Sequence, residues 1–347
     1  MDAAGVAAAL RESSGVRVVS GGTKLGWGRP IEAPELSVSE LDAIVEHNEG
    51  DLTAILQAGV PLAAAQQRFA DAGQMLALDP PDDGATIGGV IATGDSGPLR
   101  HRYGGPRDLV LGVQVALPDG SLARAGSKVI KNVAGYDLAK LMTGAYGTLG
   151  VVTEVSVRLH PVSRQKLTVV VRRDDPRALV DAAIELTHRP LEAERLDLRW
   201  EDGAGTVLVQ LTGPSAPDRA GGVDGDVVED DDKLWAAQRA AQRGPVVLRV
   251  STTQQGLADV LAAANEHGAV CVARAALGLA WLRLEAADAE LVTKLRARLG
   301  TCVLLDAPAE LRRAVDPWGP LMAEPLMRRV KARFDPYDTL NPGLLLA

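Results

Sequence analysis

Glycine is distributed very unevenly along this chain: 23 of its 36 glycines fall in residues 1–160 and 13 in the remaining 187. Glycine loses more backbone freedom on folding than any other residue, so such density needs a geometric reason, a tight turn or a close approach of backbone to a ligand. Three glycine-dense stretches carry the signal. The first, VVSGGTKLGWG at 18–28, is a strand running into a loop whose successive N–H groups can form a nest for phosphate oxygens. The second is LDPPDDGATIGGVIATGDSGP at 78–98, and the third runs from KVIKNVAGYDL at 128–138 into LMTGAYGTLGVVT at 141–153. None is a G-x-x-x-x-G-K-[ST] loop or a G-x-G-x-x-G that opens a helix, which argues against a P-loop NTPase and an ordinary Rossmann enzyme.

At 347 residues the chain has room for two domains. Its 37 basic and 45 acidic residues, net charge −8, leave no electrostatic footprint for nucleic acid or an anionic membrane. No apolar run approaches the roughly 18 residues of a membrane span. The Ala-rich start has no basic region or long apolar stretch of a secretory leader, and with only Cys271 and Cys302 a reducing, cytoplasmic setting is expected. Two cysteines are also too few to hold an iron–sulfur cluster.

The pattern predicts a helix near 2–12, a strand at 16–20, strands near 41–46 and 52–58, and a helix from Pro61 to Ala72 with Pro61 in its first position. Residues 107–125 read as a hairpin turning at Pro118-Asp119-Gly120, and 151–160 as an alternating strand ended by Pro161. From about 164 the sequence becomes a second α+β unit, beginning with LTVVVRR and a helix at 176–188. The stretch 213–232, rich in Gly, Pro and acid, reads as an exposed loop. A helix is expected between Leu321 and Phe334, and core packing for Trp318, Leu326, Met327 and Val330.

Together the three glycine stretches resemble the FAD-binding domain of the vanillyl-alcohol oxidase and p-cresol methylhydroxylase (PCMH) family, over residues 14–162. Within it, SGPLRHRYGGPRDLVLGV at 96–113, KVIKNVAGYDLAKLMTGAYGTLGVVTEV at 128–155 and the closing FDPYDTLNPG at 334–343 are similar to the FAD-binding E-type subunits of bacterial glycolate oxidases. The resemblance implies an α+β fold: a PCMH-type FAD-binding domain of two α+β subdomains (1–162), a smaller α+β cap domain (163–305, with the acidic loop 213–232), and a C-terminal helix and tail (306–347) packing back on the FAD domain. It places the pyrophosphate on Ser20, Gly21, Gly22, Thr23 and Lys24. Asp79, Pro80, Thr86, Gly88, Gly89, Ala92, Thr93 and Gly97 would line the ribityl and flavin region, with backbone contacts from Val151, Val152 and Thr153. Thr23 stands where some relatives attach flavin covalently through His, which implies non-covalent FAD; His47 and His101 read as surface or structural.

Oxidation of a 2-hydroxy acid needs a base, a cation for the carboxylate and the flavin as hydride acceptor. The H-x-G-[DE]-x-N-x-H type motif of related D-lactate and glycolate dehydrogenase subunits is missing. The five histidines, at 47, 101, 160, 188 and 267, have no close metal-ligand spacing, so no metal is expected. The catalytic residues stay unknown; Arg100, Arg102, Tyr103, Lys128 and Lys131 are weak candidates, while Tyr136 and Asp137 read as a helix cap. The resemblance implies an FAD-binding subunit that carries electrons beside a catalytic flavoprotein subunit and an iron–sulfur subunit, in a complex acting on a small 2-hydroxy acid. No direct membrane insertion is expected, any membrane association coming through partners. A self-sufficient FAD oxidoreductase of a small hydroxy acid and a flavin-free scaffold subunit are the alternatives. Tyr146, in place of the acid of S-E-G-T-L-G, and Asp95-Ser96 depart from the family pattern.

Overall fold

The computed structural model describes residues 1–128 and 137–346. Two main sheets organise the chain. The first has five antiparallel strands in the spatial order Ile44–Asn48, Thr53–Gln57, Val151–Arg158, Val110–Ala116 and Leu122–Gly126. Its alternating Val113, Val115, Val155 and Val157 are buried with Phe69 and Ile91 from the helices Leu62–Ala70 and Ile87–Thr93. Beside it, Arg17–Val19 pairs in parallel with Glu35–Ser37 and leads into the first glycine loop.

The second sheet has eight strands in the order Asp226–Val228, Lys166–Arg173, Ala204–Thr212, Arg195–Glu201, Val270–Arg274, Leu279–Leu284, Val246–Ser251 and Thr301–Asp306. The period-two alternation of its strands assigns the two faces. Val246, Leu248 and Val250 join the core beneath the helices Pro176–His188, Leu257–Glu266 and Ala289–Leu299. Val247, Val272, Trp281 and Val303 instead pack with Trp27, Trp318 and Leu344, which come from the glycine loop and the tail. The opposite faces of one sheet therefore serve its own core and the junction with the first half of the chain.

Local differences from the sequence reading have local causes. Pro61 is the N-cap of Leu62–Ala70 and not its first helical residue, because it is extended, with ψ near 129°. The strand Val151–Arg158 ends before Pro161, which itself pairs, opposite Gln74, in a two-residue strand. The stretch 213–232 is only partly an exposed loop: it holds the helix Ala216–Ala220 and the edge strand Asp226–Val228, and Asp231 is fully buried. In the helix Glu324–Phe334 no residue is buried, and Leu326 is 53% exposed. Trp318 is in the core, as expected; Val330 and Phe334 pack against the first core only partly.

Candidate functional site

A cavity of about 870 Å³ lies where the first glycine loop, the helix Ile87–Thr93, the start of Val151–Arg158 and the tail meet. Its walls bring together Ser20, Gly21, Gly22, Thr23 and Lys24 with Thr86, Gly88, Gly89, Ala92, Thr93, Val151 and Val152. These twelve come from three separate sequence motifs. The absence of side chains is itself structural: a Cβ added to Gly88 would lie 2.7 Å from that of Ala58, so the helix lies against Ala58, just after the strand Thr53–Gln57, only because residue 88 is glycine.

Among the hydroxyls of this wall, Ser20 Oγ, Thr86 Oγ1 and the Tyr146 hydroxyl are buried without a hydrogen-bond partner in the protein. Thr86 is the N-cap of Ile87–Thr93, where a hydroxyl ordinarily accepts a hydrogen bond from the helix backbone, yet its side chain makes no such bond. Leaving a buried polar group unpaired costs about 1–3 kcal/mol. Unsatisfied hydroxyls facing a cavity are what a polar ligand would complete.

The charged end of the cavity is less open. Lys24 Nζ lies 3.3 Å from both Asp82 and Asp95, and its side chain is only 5% exposed. Burial pushes the Asp95 carboxyl above the usual carboxylate range, with Lys24 opposing the shift. Tyr146 stands nearby with φ +56°, its ring 4.7 Å from that of Trp318 and its carbonyl accepting from Asn341 Nδ2 at 2.8 Å.

Four of the expected cofactor residues lie elsewhere. Asp79 and Pro80 line a different cleft, with Arg195 and Trp235. Gly97 packs on Asp79, whose carbonyl oxygen would lie 1.8 Å from an added Cβ. Thr153 is buried with its hydroxyl donating to the Gln114 carbonyl at 3.2 Å. Nor does the structure bring the described catalytic candidates, Arg100, Arg102, Tyr103 and Lys128, to the cavity. Arg100 Nη1 donates to Ser96 Oγ at 3.3 Å, Arg102 Nη1 to the Glu192 carbonyl at 3.0 Å, and Tyr103 OH to Glu194 Oε1 at 2.8 Å. Lys128 is paired with Glu46 at 2.9 Å. Lys131 and Tyr136 lie outside the described residues; Asp137 caps Leu138–Met142 by accepting from Lys140 N. His47 bonds Gln74, and among the described residues no three His, Cys, Asp or Glu side chains gather as a metal-ligand set.

The cavity also has walls outside the expected cofactor residues: Arg17, Trp27, Ala58, Asn341 and Leu344. Asn341 sits in an Asn-Pro-Gly turn at φ +46°, accepts from Val18 N at 2.9 Å and so closes the floor between strand and tail. That turn dipeptide is the one local signal that marks it.

Residues 3–126 match the family of the FAD binding domain. That segment, just over a third of the chain, is similar to FAD-binding domains. The chain is 38% identical over 163 residues to the glycolate oxidase subunit GlcE of Escherichia coli, covering 46% of this chain and 47% of that protein. It is 34% identical over 148 residues to a mitochondrial D-lactate dehydrogenase [cytochrome] of Arabidopsis thaliana, covering 43% and 26%. The chain thus spans less than half the length of each. An uncharacterized FAD-linked oxidoreductase of Mycobacterium tuberculosis is 28% identical over 417 residues, covering 98% of this chain and 88% of that one. The fold resembles that of an alkyldihydroxyacetonephosphate synthase structure, with a TM-score of 0.68 at 14% identity, covering 97% of this chain and 74% of that chain. The cavity fits FAD on its own terms: it is walled by glycine and small residues and presents unsatisfied hydroxyls where a polar ligand would pass.

Proposed function

We propose that this chain holds FAD non-covalently in the glycine-walled cavity and carries electrons as a subunit of a hydroxy-acid oxidoreductase, with 2-hydroxy acids such as glycolate as the substrate class of the complex. The observation that carries the reading is the convergence of three glycine motifs on one cavity that contains the unpartnered Ser20 and Thr86 hydroxyls. The similarity to a glycolate oxidase subunit and to D-lactate dehydrogenases supports the substrate class. The two sheets support a division into 1–162, 163–305 and 306–347, with the last strand, Thr301–Asp306, running one residue across the second boundary.

When bound, FAD supplies an isoalloxazine ring that accepts a hydride and passes electrons onward. The chain's own residues bind and orient it. The loop from Ser20 to Lys24 offers backbone N–H groups to the pyrophosphate, Thr86 its hydroxyl, and Gly88 and Gly89 a surface against which a flat ring system can lie. Trp27, Leu344 and Val152 exclude water from the same space. Arg102, Tyr103 and Lys128 are engaged in other contacts away from the cavity, which favours a partner as the owner of the substrate site.

The test is an absorbance spectrum of the purified chain, followed by anaerobic addition of glycolate and D-lactate. Flavin bands that neither acid bleaches are the expected result; bleaching would give the chain its own active site and sink the subunit reading. A colourless protein that stays colourless after adding FAD would favour the scaffold instead. Acid precipitation should leave the flavin in the supernatant, because Thr23 offers no imidazole for a covalent bond.

A further inference from the structure

The first glycine loop is held by the second half of the chain. Arg243, between the helix Asp232–Ala240 and the strand Val246–Ser251, reaches across the junction with its whole guanidinium. Nε donates to Asp306 Oδ2 at 2.6 Å and Nη2 to Asp306 Oδ1 at 3.0 Å, a fork that fixes the plane of the group. Nη1 then donates to the Thr23 carbonyl at 3.2 Å and is paired with Asp82. The guanidinium carbon also stands 5.5 Å from the Trp27 ring centre, and Trp27 Nε1 donates to the same Asp306 at 2.9 Å. Asp82 in turn holds Lys24.

Thr23, Lys24 and Trp27 are thus each tied, directly or through one carboxylate, to Arg243 or Asp306. The loop's own backbone bonds between 22 and 27 are two short turns, Leu25 N to the Gly22 carbonyl at 3.3 Å and Trp27 N to the Lys24 carbonyl at 3.0 Å. Such turns do not by themselves fix a loop rich in glycine. A nest binds an anion only when its N–H groups are already aligned, since otherwise binding must bear the ordering entropy.

We propose that Arg243 is a positioning residue for the cofactor: it clamps the Gly21–Trp27 loop in the shape that receives the FAD pyrophosphate, so that FAD affinity depends on a residue far outside the FAD-binding segment 3–126. The inference rests on the reading that this loop holds the pyrophosphate. Lysine at 243 would keep the charge but has no planar fork and reaches one carboxylate at a time.

The experiment compares the full-length chain with Arg243→Ala and Arg243→Lys. Hydrogen exchange of the FAD-free proteins reads the loop directly, and fluorescence titration with FAD reads its consequence. In R243A the amides of 22–27 should exchange at least about tenfold faster, with exchange in the eight-stranded sheet unchanged, and FAD should bind on the order of tenfold more weakly, as expected for losing a charge-assisted hydrogen bond. R243K should fall between, and it carries the test if R243A does not fold. Loop amides in the variants that exchange no faster than in the parent overturn the clamp. A faster loop with unchanged FAD affinity overturns its role toward the cofactor. A parent chain that takes up no FAD overturns the reading of the cavity, a failure that the exchange data on the loop keep separate.

Discussion

Thr86 shows how much a single side chain reveals about a site. Its hydroxyl sits at a helix N-cap, buried, and does not cap. A hydroxyl kept for the helix would lower stability when removed; one kept for a ligand would not. Thr86→Val should therefore leave the FAD-free chain as stable as the parent or about 1 kcal/mol more stable, since an unpaired buried polar group is lost. FAD binding should weaken by roughly five- to tenfold. Denaturant unfolding without FAD and titration with it check the two halves, and a destabilised variant with unchanged affinity would make Thr86 an ordinary structural residue. The place of Thr86 in the cavity wall was anticipated from the sequence through the family resemblance, which carried it over with its glycine-rich motif. The same resemblance carried over Asp79, Pro80, Gly97 and Thr153, which line no part of the cavity; Asp79 and Pro80 line a separate cleft together with Leu78.

At the scale of elements, the second half was the more readable. The helix Pro176–His188 has the expected bounds because its signals are local: Asp175 caps it by accepting from Ala178 N at 2.8 Å, and Pro176 occupies the first turn. Asp175→Ala should lower stability by about 1 kcal/mol, read as a shift of the denaturant midpoint; an unchanged midpoint would mean that packing of Leu179, Val180 and Ala183 holds the helix without its cap. The acidic stretch 213–232 was misjudged for the opposite reason. Its strand Asp226–Val228 pairs with Lys166–Arg173, and buried Asp231 accepts from Thr168 Oγ1 and Gln210 Nε2, both at 2.7 Å. Those partners lie far away in sequence, so composition alone describes the stretch as solvated. The helix Glu324–Phe334 errs the other way, since the apolar Leu326 is left 53% exposed and not packed in the core.

The whole molecule is held at its junction by polar as well as apolar contacts. Asp79, from the first half, accepts from Leu99 N at 3.1 Å and lies 3.6 Å from Arg195 of the eight-stranded sheet. Burial pushes its carboxyl from 3.8 up to about 6. Between about pH 4 and 6 the folded chain keeps a proton that the unfolded chain has released, so this group's contribution makes stability fall as pH rises through that window and level off above it. The shift corresponds to something on the order of 3 kcal/mol. Asp79→Asn should remove that component, so that the difference in stability between variant and parent changes across the window and is flat above about pH 6; thermal unfolding over pH 4–7 measures it, and parallel profiles would place the titration elsewhere.

Sequence by itself determined the glycine motifs, the alternation of the strands and the helix caps, because each depends on a backbone angle, a missing Cβ or a hydrogen bond spanning a few residues. It also carried the likeness to FAD-binding proteins. Tertiary structure alone decided which motif residues share the cavity, that the tail closes it through Asn341, and that Arg243 and Asp306 bond a loop 220 and 279 positions earlier in the chain. The physical reason is the range of the interactions. A turn or a cap is specified by its neighbours, whereas a charge-assisted bond across a junction exists only after the eight-stranded sheet has packed against the glycine loop and the tail.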